Sequence, residues 1–422
     1  MIQQFYTYLK IISIFLAVDV LILLRMRTLS IWKSNELFAK LVWWSLSLLS
    51  YLSIFLNLFF KWNSFESACL VFFPITLLFA KIIVLFFIGI DAIYRASTVF
   101  KNLFIRPKRL SDQDKNTLFI TRSDFIIKSG LALASVPIAA LTRGFALNLY
   151  DYQIKHIDLF LPHLPQSFDG LTVAQISDIH AGSLFNQDKV KRGIDLLLGE
   201  NPDIIFFTGD LINDFASEMD HYLDVFKQLN APLGTFSILG NHDYGDYHFS
   251  RHHFFDKSRL TKEQNFAELK SIHSQLGWQL LLNESKELVL NNDKITIIGV
   301  ENWGLNNPKN YGDIDLAMAK VDNSSSVNFM LSHDPSHWRA EIIPKYPNID
   351  VTFSGHTHGG QFGYTNPNYQ WSPVKYAYLE WAGLYRERQQ ALYVNAGFGY
   401  LDYPSRLGML PEVTIFHLKS KG

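Results

Sequence analysis

Long apolar runs near the amino terminus constrain this chain more than any other feature, because a water-soluble domain has no need of them. Phe38–Phe60 and Ser67–Tyr94 are each long enough to cross a hydrocarbon core, which takes roughly 20 helical residues. Buried soluble helices are the alternative for two weaker runs, but their strong neighbours favour spans. The weaker runs are Tyr8–Leu24 and Ile126–Leu147. We therefore expect a transmembrane helical region over residues 1–148 with about four spans, followed by a second domain over residues 149–422.

The placement of Lys and Arg gives this region an orientation. Positive charge lies on either side of the two strong runs, whereas only Lys61 stands between them. The two groups are Arg25, Arg27, Lys33 and Lys40, and Arg95, Lys101, Arg106, Lys108, Arg109, Lys115, Arg122 and Lys128. The positive-inside rule places both groups in the cytoplasm. If the run Ile126–Leu147 crosses the cell membrane, the second domain is extracytoplasmic; if that run lies along the membrane, the domain stays cytoplasmic.

Composition narrows the chemistry of the chain. A net charge of −1 with 18% charged residues gives no argument for polyanion binding, so no nucleic acid partner is expected. The single cysteine, Cys69, excludes an intramolecular disulfide, a Cys-ligated zinc site and an iron–sulfur cluster. Any metal would therefore be held by His, Asp and Asn side chains. Asp19 and Lys81 lie inside apolar runs, where an interhelical pair would explain them, and we assign them no function.

From about residue 150 the pattern becomes that of an α/β domain. Short apolar runs rich in β-branched and aromatic residues recur, and helical patterns such as Asp188–Leu198 separate the early ones. The runs predict strands at Leu171–Ile176, Ile204–Thr208, Thr235–Leu239, Ile295–Val300, Asn328–Leu331, Val351–Phe353 and Leu392–Val394.

Five of these predicted strands are followed directly by residues that can bind metal. The residues are Asp178 and His180, Asp210, Asn241 with His242 and Asp243, His333, and His356 and His358. The carboxyl ends of strands are where open α/β sheets bind ligands, and side chains two residues apart point to the same side of an extended segment. Imidazole nitrogens suit zinc, iron and manganese, and carboxylate and amide oxygens suit harder ions. The pattern therefore predicts a metal centre at the strand ends.

The order and spacing of these clusters resemble the full motif set of the calcineurin-like metallophosphoesterases. The motifs are Asp178-x-His180, Gly209-Asp210, Gly240-Asn241-His242-Asp243, Ser332-His333 and Gly355-His356-x-His358. The residues Gly359-Gly360-Gln361 and Trp371-Ser-Pro, followed by Gly383-Leu-Tyr, are similar to the membrane-attached bacterial branch of YaeI-like and YkuE-like phosphodiesterases. The resemblance implies a four-layer α/β/β/α sandwich with two divalent ions, which manganese, iron or zinc would satisfy.

The resemblance also implies a role for each residue. Asp178, His180 and His358 would bind the first metal, Asn241, His333 and His356 the second, and Asp210 both. His242 would face the substrate and either stabilise the developing charge or hand a proton to the leaving oxygen, and Asp243 could hydrogen-bond His242 and fix its tautomer. A hydroxide shared by the two metals would attack phosphorus in line.

The expected function is therefore a membrane-anchored phosphoester hydrolase. A phosphodiesterase or a pyrophosphatase is favoured, and a phosphomonoesterase stays open. A phospholipid or lipid-linked pyrophosphate is one candidate substrate and a soluble nucleotide another, with membrane lipids as partners. The alternative is a non-catalytic membrane scaffold with a phosphoesterase-like domain.

Three features outside the motifs stay open. His248, His252 and His253 are assigned to an insertion loop. The aromatic residues of segment 362–388 form either loop packing or an apolar lip that contacts lipid. Arg386, Arg388 and Arg406 are either phosphate or headgroup contacts or solvated surface residues.

Overall fold

The structure of the protein is a computed structural model that describes residues 2–27, 36–59, 64–104, 121–249, 260–305, 309–321, 327–366 and 369–420. The chain divides into two compact units. The first unit comprises Met1–Trp62 and Cys69–Thr142, and the second comprises Asn63–Ala68 and Arg143–Gly422. Of the three histidines assigned to the predicted insertion loop, His252 and His253 lie outside the described residues.

Long helices form the amino-terminal part of the chain: α1 (Ile2–Met26), α2 (Glu36–Phe59), α3 (Ser64–Phe104) and α4 (Arg122–Ala146). Among the described residues, three stretches are long and apolar enough to cross a membrane: Glu36–Leu56, Phe65–Lys101 and Arg122–Tyr150. The predicted run Tyr8–Leu24 is helical within α1, and its crossing of the membrane stays a prediction.

An ion pair lies inside the helical unit. Lys81 Nζ of α3 is 2.7 Å from Asp19 Oδ1 of α1 and donates to Ser47 Oγ of α2 over 3.1 Å. All three side chains are buried. Charged groups at such depth are costly unless they pair with one another, so contact between helices accounts for Asp19 and Lys81.

The second unit contains two mixed six-stranded sheets among its described residues. The first has the order β1-β14-β2-β3-β4-β5. Its strands are β1 (Gln153–Leu161), β14 (Glu412–Ser420), β2 (Thr172–Ile176), β3 (Ile204–Phe207), β4 (Thr235–Ser237) and β5 (Gln279–Leu280). Strands β2 to β5 are parallel, and β14 joins β2 antiparallel and β1 parallel.

The second sheet has the order β12-β13-β9-β8-β7-β6. Its strands are β12 (Gly383–Glu387), β13 (Gln390–Val394), β9 (Val351–Ser354), β8 (Asn328–Leu331), β7 (Asp293–Gly299) and β6 (Glu284–Leu290). The four inner strands are parallel, whereas the edge strands β6 and β12 are antiparallel to their neighbours. A separate hairpin pairs β10 (Tyr364–Asn366) with β11 (Tyr369–Trp371).

Shorter helices connect these strands. They are α5 (Gln187–Gly199), α6 (Leu223–Phe226), α7 (Asp246–Phe249), α8 (Lys262–Leu276), α9 (Ile314–Met318) and α10 (Ile343–Lys345). Asn186 caps α5 by accepting from Lys189 N, and Thr261 caps α8 in a capping box with Gln264. Both caps satisfy main-chain N–H groups that a helix start leaves without partners.

Aromatic side chains join the two sheets face to face. Phe206 of β3 lies 5.0 Å from Phe353 of β9 between ring centroids, and Phe353 lies 5.1 Å from Phe416 of β14. Because side chains alternate along a strand, Ile205 and Phe207 face the other way and pack with the helices of the first sheet. Residues of α9 cover the outer face of the second sheet. The layers are therefore α/β/β/α, which confirms the predicted fold class.

Candidate metal centre

Loops that follow β2, β3, β4, β8 and β9 bring all seven predicted metal ligands together. Two groups of donor atoms form, and within each group the atoms lie within 4.8 Å of one another. The first group consists of Asp178, His180 and His358, and the second of Asp210, His333 and His356. The amide of Asn241, which follows β4, lies against the second group.

The first group joins the loop after β2 to the loop after β9. His180 Nε2 lies 3.1 Å from His358 Nε2, and His358 Nε2 lies 3.3 Å from Asp178 Oδ1. All three side chains are buried. Two imidazole nitrogens and a carboxylate oxygen thus converge on one small volume away from water.

The second group centres on His333. Its Nε2 atom is 3.1 Å from Asp210 Oδ2 and 3.1 Å from Asn241 Oδ1. The same amide oxygen is 2.8 Å from His356 Nδ1. Asp210 Oδ2 also lies 3.5 Å from His180 Nε2 of the first group, so this one carboxylate oxygen stands between the two groups.

Hydrogen bonds on the outer sides of the rings orient the imidazoles. His333 Nδ1 donates to the carbonyl oxygen of Thr208 over 2.7 Å, which leaves Nε2 as the atom that faces Asp210 and Asn241. His180 Nδ1 lies 3.0 Å from Asn213 Oδ1, an oxygen that accepts, so its Nε2 is likewise free to coordinate. Such partners fix the tautomer and direction of a metal-binding histidine.

Two residues in contact with the site come from remote parts of the chain. Tyr378 places its hydroxyl 2.7 Å from His356 Nε2; the sequence marks it only as one of many aromatic residues in segment 362–388. Arg406 lies 3.2 Å from His358 Nδ1 through Nη2 and donates to the carbonyl oxygen of Ala396 over 2.7 Å. Because Arg406 is fully buried, its predicted role as a phosphate or headgroup contact, or as a solvated surface residue, is wrong.

The predicted hydrogen bond from Asp243 to His242 is wrong. The Asp243 carboxylate accepts from main-chain N–H groups of the neighbouring loop instead, including those of Asp210 and Leu211 at 2.8 Å each. His242 Nδ1 lies 2.9 Å from the carbonyl oxygen of Asn213, and that carbonyl sets its tautomer. A buried carboxylate turns toward N–H donors that have no other partner, which is why Asp243 points away from the ring beside it.

The sequence argument assumed extended backbone at the ligands, but the structure shows a different conformation there. Positive φ angles occur at Asp178 (51°), His180 (48°), Asp210 (59°), His356 (71°) and His358 (51°). Non-glycine residues rarely adopt this region. As a result His356 and His358 turn to different groups rather than to the same side, and the extended-segment interpretation of that pair is wrong.

Burial and charge leave the imidazoles of the first group neutral. Burial lowers the pKa of His180 to about 3 and holds the pKa of His358 well below its usual range. Burial opposes ionisation of Asp210, but the charges of His333 and His242 outweigh it and hold the pKa of this carboxyl well below its usual range. Neutral imidazoles and ionised carboxylates are the forms that bind divalent cations.

The donor set therefore fits two divalent cations. His180 Nε2 and His358 Nε2 face one another over 3.1 Å beside the buried carboxylate of Asp178, and a cation would satisfy such a group of buried polar atoms together. The combination of imidazole, carboxylate and amide oxygen suits first-row metals such as manganese, iron and zinc.

Comparison with known proteins gives the same result for both parts of the chain. Residues 171–360 match the family described as calcineurin-like phosphoesterase. Residues 4–148 match the family described as probable calcineurin-like phosphoesterase, transmembrane domain. The predicted family resemblance is thus confirmed, and so is membrane association of the amino-terminal region.

Relatives from bacteria and a vertebrate are similar along most of the chain. The uncharacterized metallophosphoesterase YkuE of Bacillus subtilis is 30% identical over 67% of this chain and 92% of its own length. A transmembrane protein with metallophosphoesterase domain from Danio rerio is 28% identical over 63% of this chain and 57% of its own length. The UDP-2,3-diacylglucosamine pyrophosphatase LpxG of Chlamydia muridarum is 29% identical over 64% and 90%. The chain therefore belongs to the calcineurin-like metallophosphoesterases and is a membrane-associated, metal-dependent phosphoester hydrolase.

Proposed function

We propose that the two groups of donors hold two divalent cations that share Asp210. Asp178, His180 and His358 would hold the first cation, and Asn241, His333 and His356 the second. This proposal rests on the position of Asp210 Oδ2, which lies 3.5 Å from His180 Nε2 and 3.1 Å from His333 Nε2. A carboxylate oxygen between two groups of nitrogen donors would be shared by both cations.

We assign the proton transfer to His242. When bound, two such cations activate water and neutralise charge on phosphoryl oxygens. The half-buried His242 is tied to the site by its main-chain N–H, which donates to Asp210 Oδ1 over 2.9 Å. Since Nδ1 is taken by the carbonyl oxygen of Asn213, Nε2 is the atom that would give a proton to the leaving oxygen.

The bond we propose for cleavage is a phosphodiester or pyrophosphate of a lipid-linked molecule. Its support is the membrane region ahead of the catalytic domain, together with the similarity to the UDP-2,3-diacylglucosamine pyrophosphatase LpxG. From the distribution of Lys and Arg we also propose that the catalytic domain lies on the extracytoplasmic side. A soluble phosphoester is the competing substrate class.

The test is hydrolysis of a panel of phosphodiesters, pyrophosphates, phospholipids and soluble nucleotides by full-length protein, with manganese, zinc or chelator. Asp210→Asn and His333→Gln are the variants, and Asp195→Asn, which changes an exposed carboxylate on α5, is the matched control. We expect metal-dependent turnover in the wild type and the control, and its loss together with metal content in both site variants. A folded wild type that binds no metal, or site variants with unchanged turnover, would refute the proposal.

A further inference from the structure

Several exposed apolar side chains lie in segments 361–366 and 369–379, which together we call the aromatic lip. Tyr376 is 78% exposed and Leu379 is 76% exposed. Further large apolar side chains of the lip that lie in solvent are Phe362, Tyr364 and Tyr369. Tyr364 and Tyr369 belong to the same hairpin, and several large apolar side chains exposed within one short segment are typical of an interaction site.

Other apolar side chains of the lip are buried. A separate buried cluster beneath it consists of Trp381, Ala382 and Met409, with Val374 and Tyr378 packed against it. These residues form the hydrophobic core of the segment. None of the exposed rings named above belongs to this cluster, although Phe362 lies 6.5 Å from Trp371 between ring centroids.

The lip is also poor in charge. Between residues 361 and 379 the sequence contains one charged residue, Lys375. The next acidic residue, Glu380, is buried and bound by Arg339 over 2.6 Å. Tyrosine and other amphipathic rings favour the interface between lipid and water, and a lone lysine without acidic neighbours is attracted to anionic headgroups. Rings and charge together fit a lipid surface better than a polar protein.

The base of the lip is joined to the metal centre. The Tyr378 hydroxyl contacts His356 Nε2 over 2.7 Å. One residue beyond His356, Thr357 Oγ1 donates to the carbonyl oxygen of Trp381 over 2.6 Å. Residues of the lip and its base are thus hydrogen-bonded directly to the loop that carries a metal ligand.

We propose that the aromatic lip inserts into the interfacial layer of the bilayer in which the helices of this chain are anchored. The insertion holds the metal centre at the level of lipid headgroups. The consequence for substrate, that the cleaved phosphoester belongs to a membrane lipid, rests on the function proposed above. The insertion itself does not.

Because the chain contains a single cysteine, one substitution gives a cysteine-free background for site-specific labelling. In full-length Cys69→Ser protein, Tyr376→Cys and Leu379→Cys are labelled separately with an environment-sensitive fluorophore and reconstituted in phosphatidylcholine–phosphatidylglycerol vesicles. Val289→Cys is the control, since it is 60% exposed on β6, at the edge of the second sheet opposite β12. We expect both lip labels to shift their emission to the blue and to be quenched by lipids that carry nitroxide near the headgroup. The Val289 label should show neither effect.

Lip labels that behave like the Val289 label overturn the insertion, including the case in which a protein covers the lip. Hydrolysis of a soluble phosphodiester by the same samples reports the enzyme separately. Turnover without quenching refutes the insertion alone. Quenching without turnover on any panel substrate supports the insertion and refutes the proposed function.

Discussion

The substitution Asp243→Asn tests whether this residue builds the metal-binding loops or assists catalysis. The buried carboxylate accepts from the main-chain N–H groups of Asp210 and Gly240 at Oδ2, each over 2.8 Å. At Oδ1 it accepts from Leu211 over 2.8 Å and from Ile212 over 3.2 Å. It thereby ties the loop after β3 to the loop after β4.

An asparagine retains one oxygen acceptor and turns an NH₂ group toward the other pair of donors. Hydrogen bonds to a charged group contribute about 1.5–3 kcal/mol each, so loss of two costs about 3–6 kcal/mol of unfolding free energy. That is a large share of the roughly 5–15 kcal/mol that stabilises an ordinary domain. At about 2 °C per kcal/mol for a domain of this size, the apparent unfolding midpoint should fall by at least about 6 °C.

The assay is thermal unfolding and metal content of full-length protein, measured in a cycle with His242→Ala. If Asp243 builds the loop, Asp243→Asn lowers the midpoint and the bound metal equally with and without the His242 ring. The account would be refuted if Asp243→Asn left the unfolding midpoint unchanged but reduced turnover, and if this effect on turnover disappeared in the His242→Ala background. Asp243 would then act through the His242 ring.

Further predictions concern single atoms of the site and core. Tyr378→Phe removes the hydroxyl at His356 Nε2 and should weaken binding of one metal by about 10–100-fold, measured by metal titration; unchanged affinity would contradict the contact. Gly355→Ala places a Cβ against the carboxylate of Asp178, whereas the Cβ of Gly199→Ala meets open space. Only the Gly355→Ala variant should lose metal, measured as metal content. Burial lowers the pKa of His273 to about 3, so below about pH 6.5 the unfolded state alone takes up its proton. The free energy of unfolding therefore decreases as the pH is lowered, by about 2 kcal/mol at pH 5 from this residue. The unfolding midpoint of His273→Gln should drop less on acidification than that of the wild type.

The inner strands could be predicted because both of their faces are buried. All four residues of Ile204–Phe207 and of Asn328–Leu331 are buried, and such strands give continuous apolar runs. The strand Gln153–Leu161 has mostly exposed or half-exposed side chains and pairs with Glu412–Ser420 at the far end of the chain. The mixed polarity of the first strand gives no continuous apolar run, and its pairing with a segment at the far end of the chain cannot be inferred from neighbouring residues. The prediction therefore lacks both Gln153–Leu161 and Glu412–Ser420.

The donor types of the site could be predicted, but the directions of their side chains could not. Motif spacing identifies the ligands, whereas the surrounding contacts come from residues such as Arg406 that no motif marks. Asp243 shows the difficulty most clearly. Proximity in sequence suggested His242 as its partner, while the unpaired main-chain N–H groups of a tight loop determine where its carboxylate turns.

Backbone strain at the ligands explains why those main-chain hydrogen bonds matter. Residues held in the left-handed region cost about 1–3 kcal/mol each, and their neighbours must offset that cost. Asp178 accepts from His356 N over 2.9 Å, and Asp210 accepts from His242 N over 2.9 Å. Each of these carboxylates therefore supports a strained loop as well as facing a metal. Removing either aspartate confounds metal loss with loop collapse, whereas His333, whose φ angle is not positive, separates metal binding from folding more cleanly.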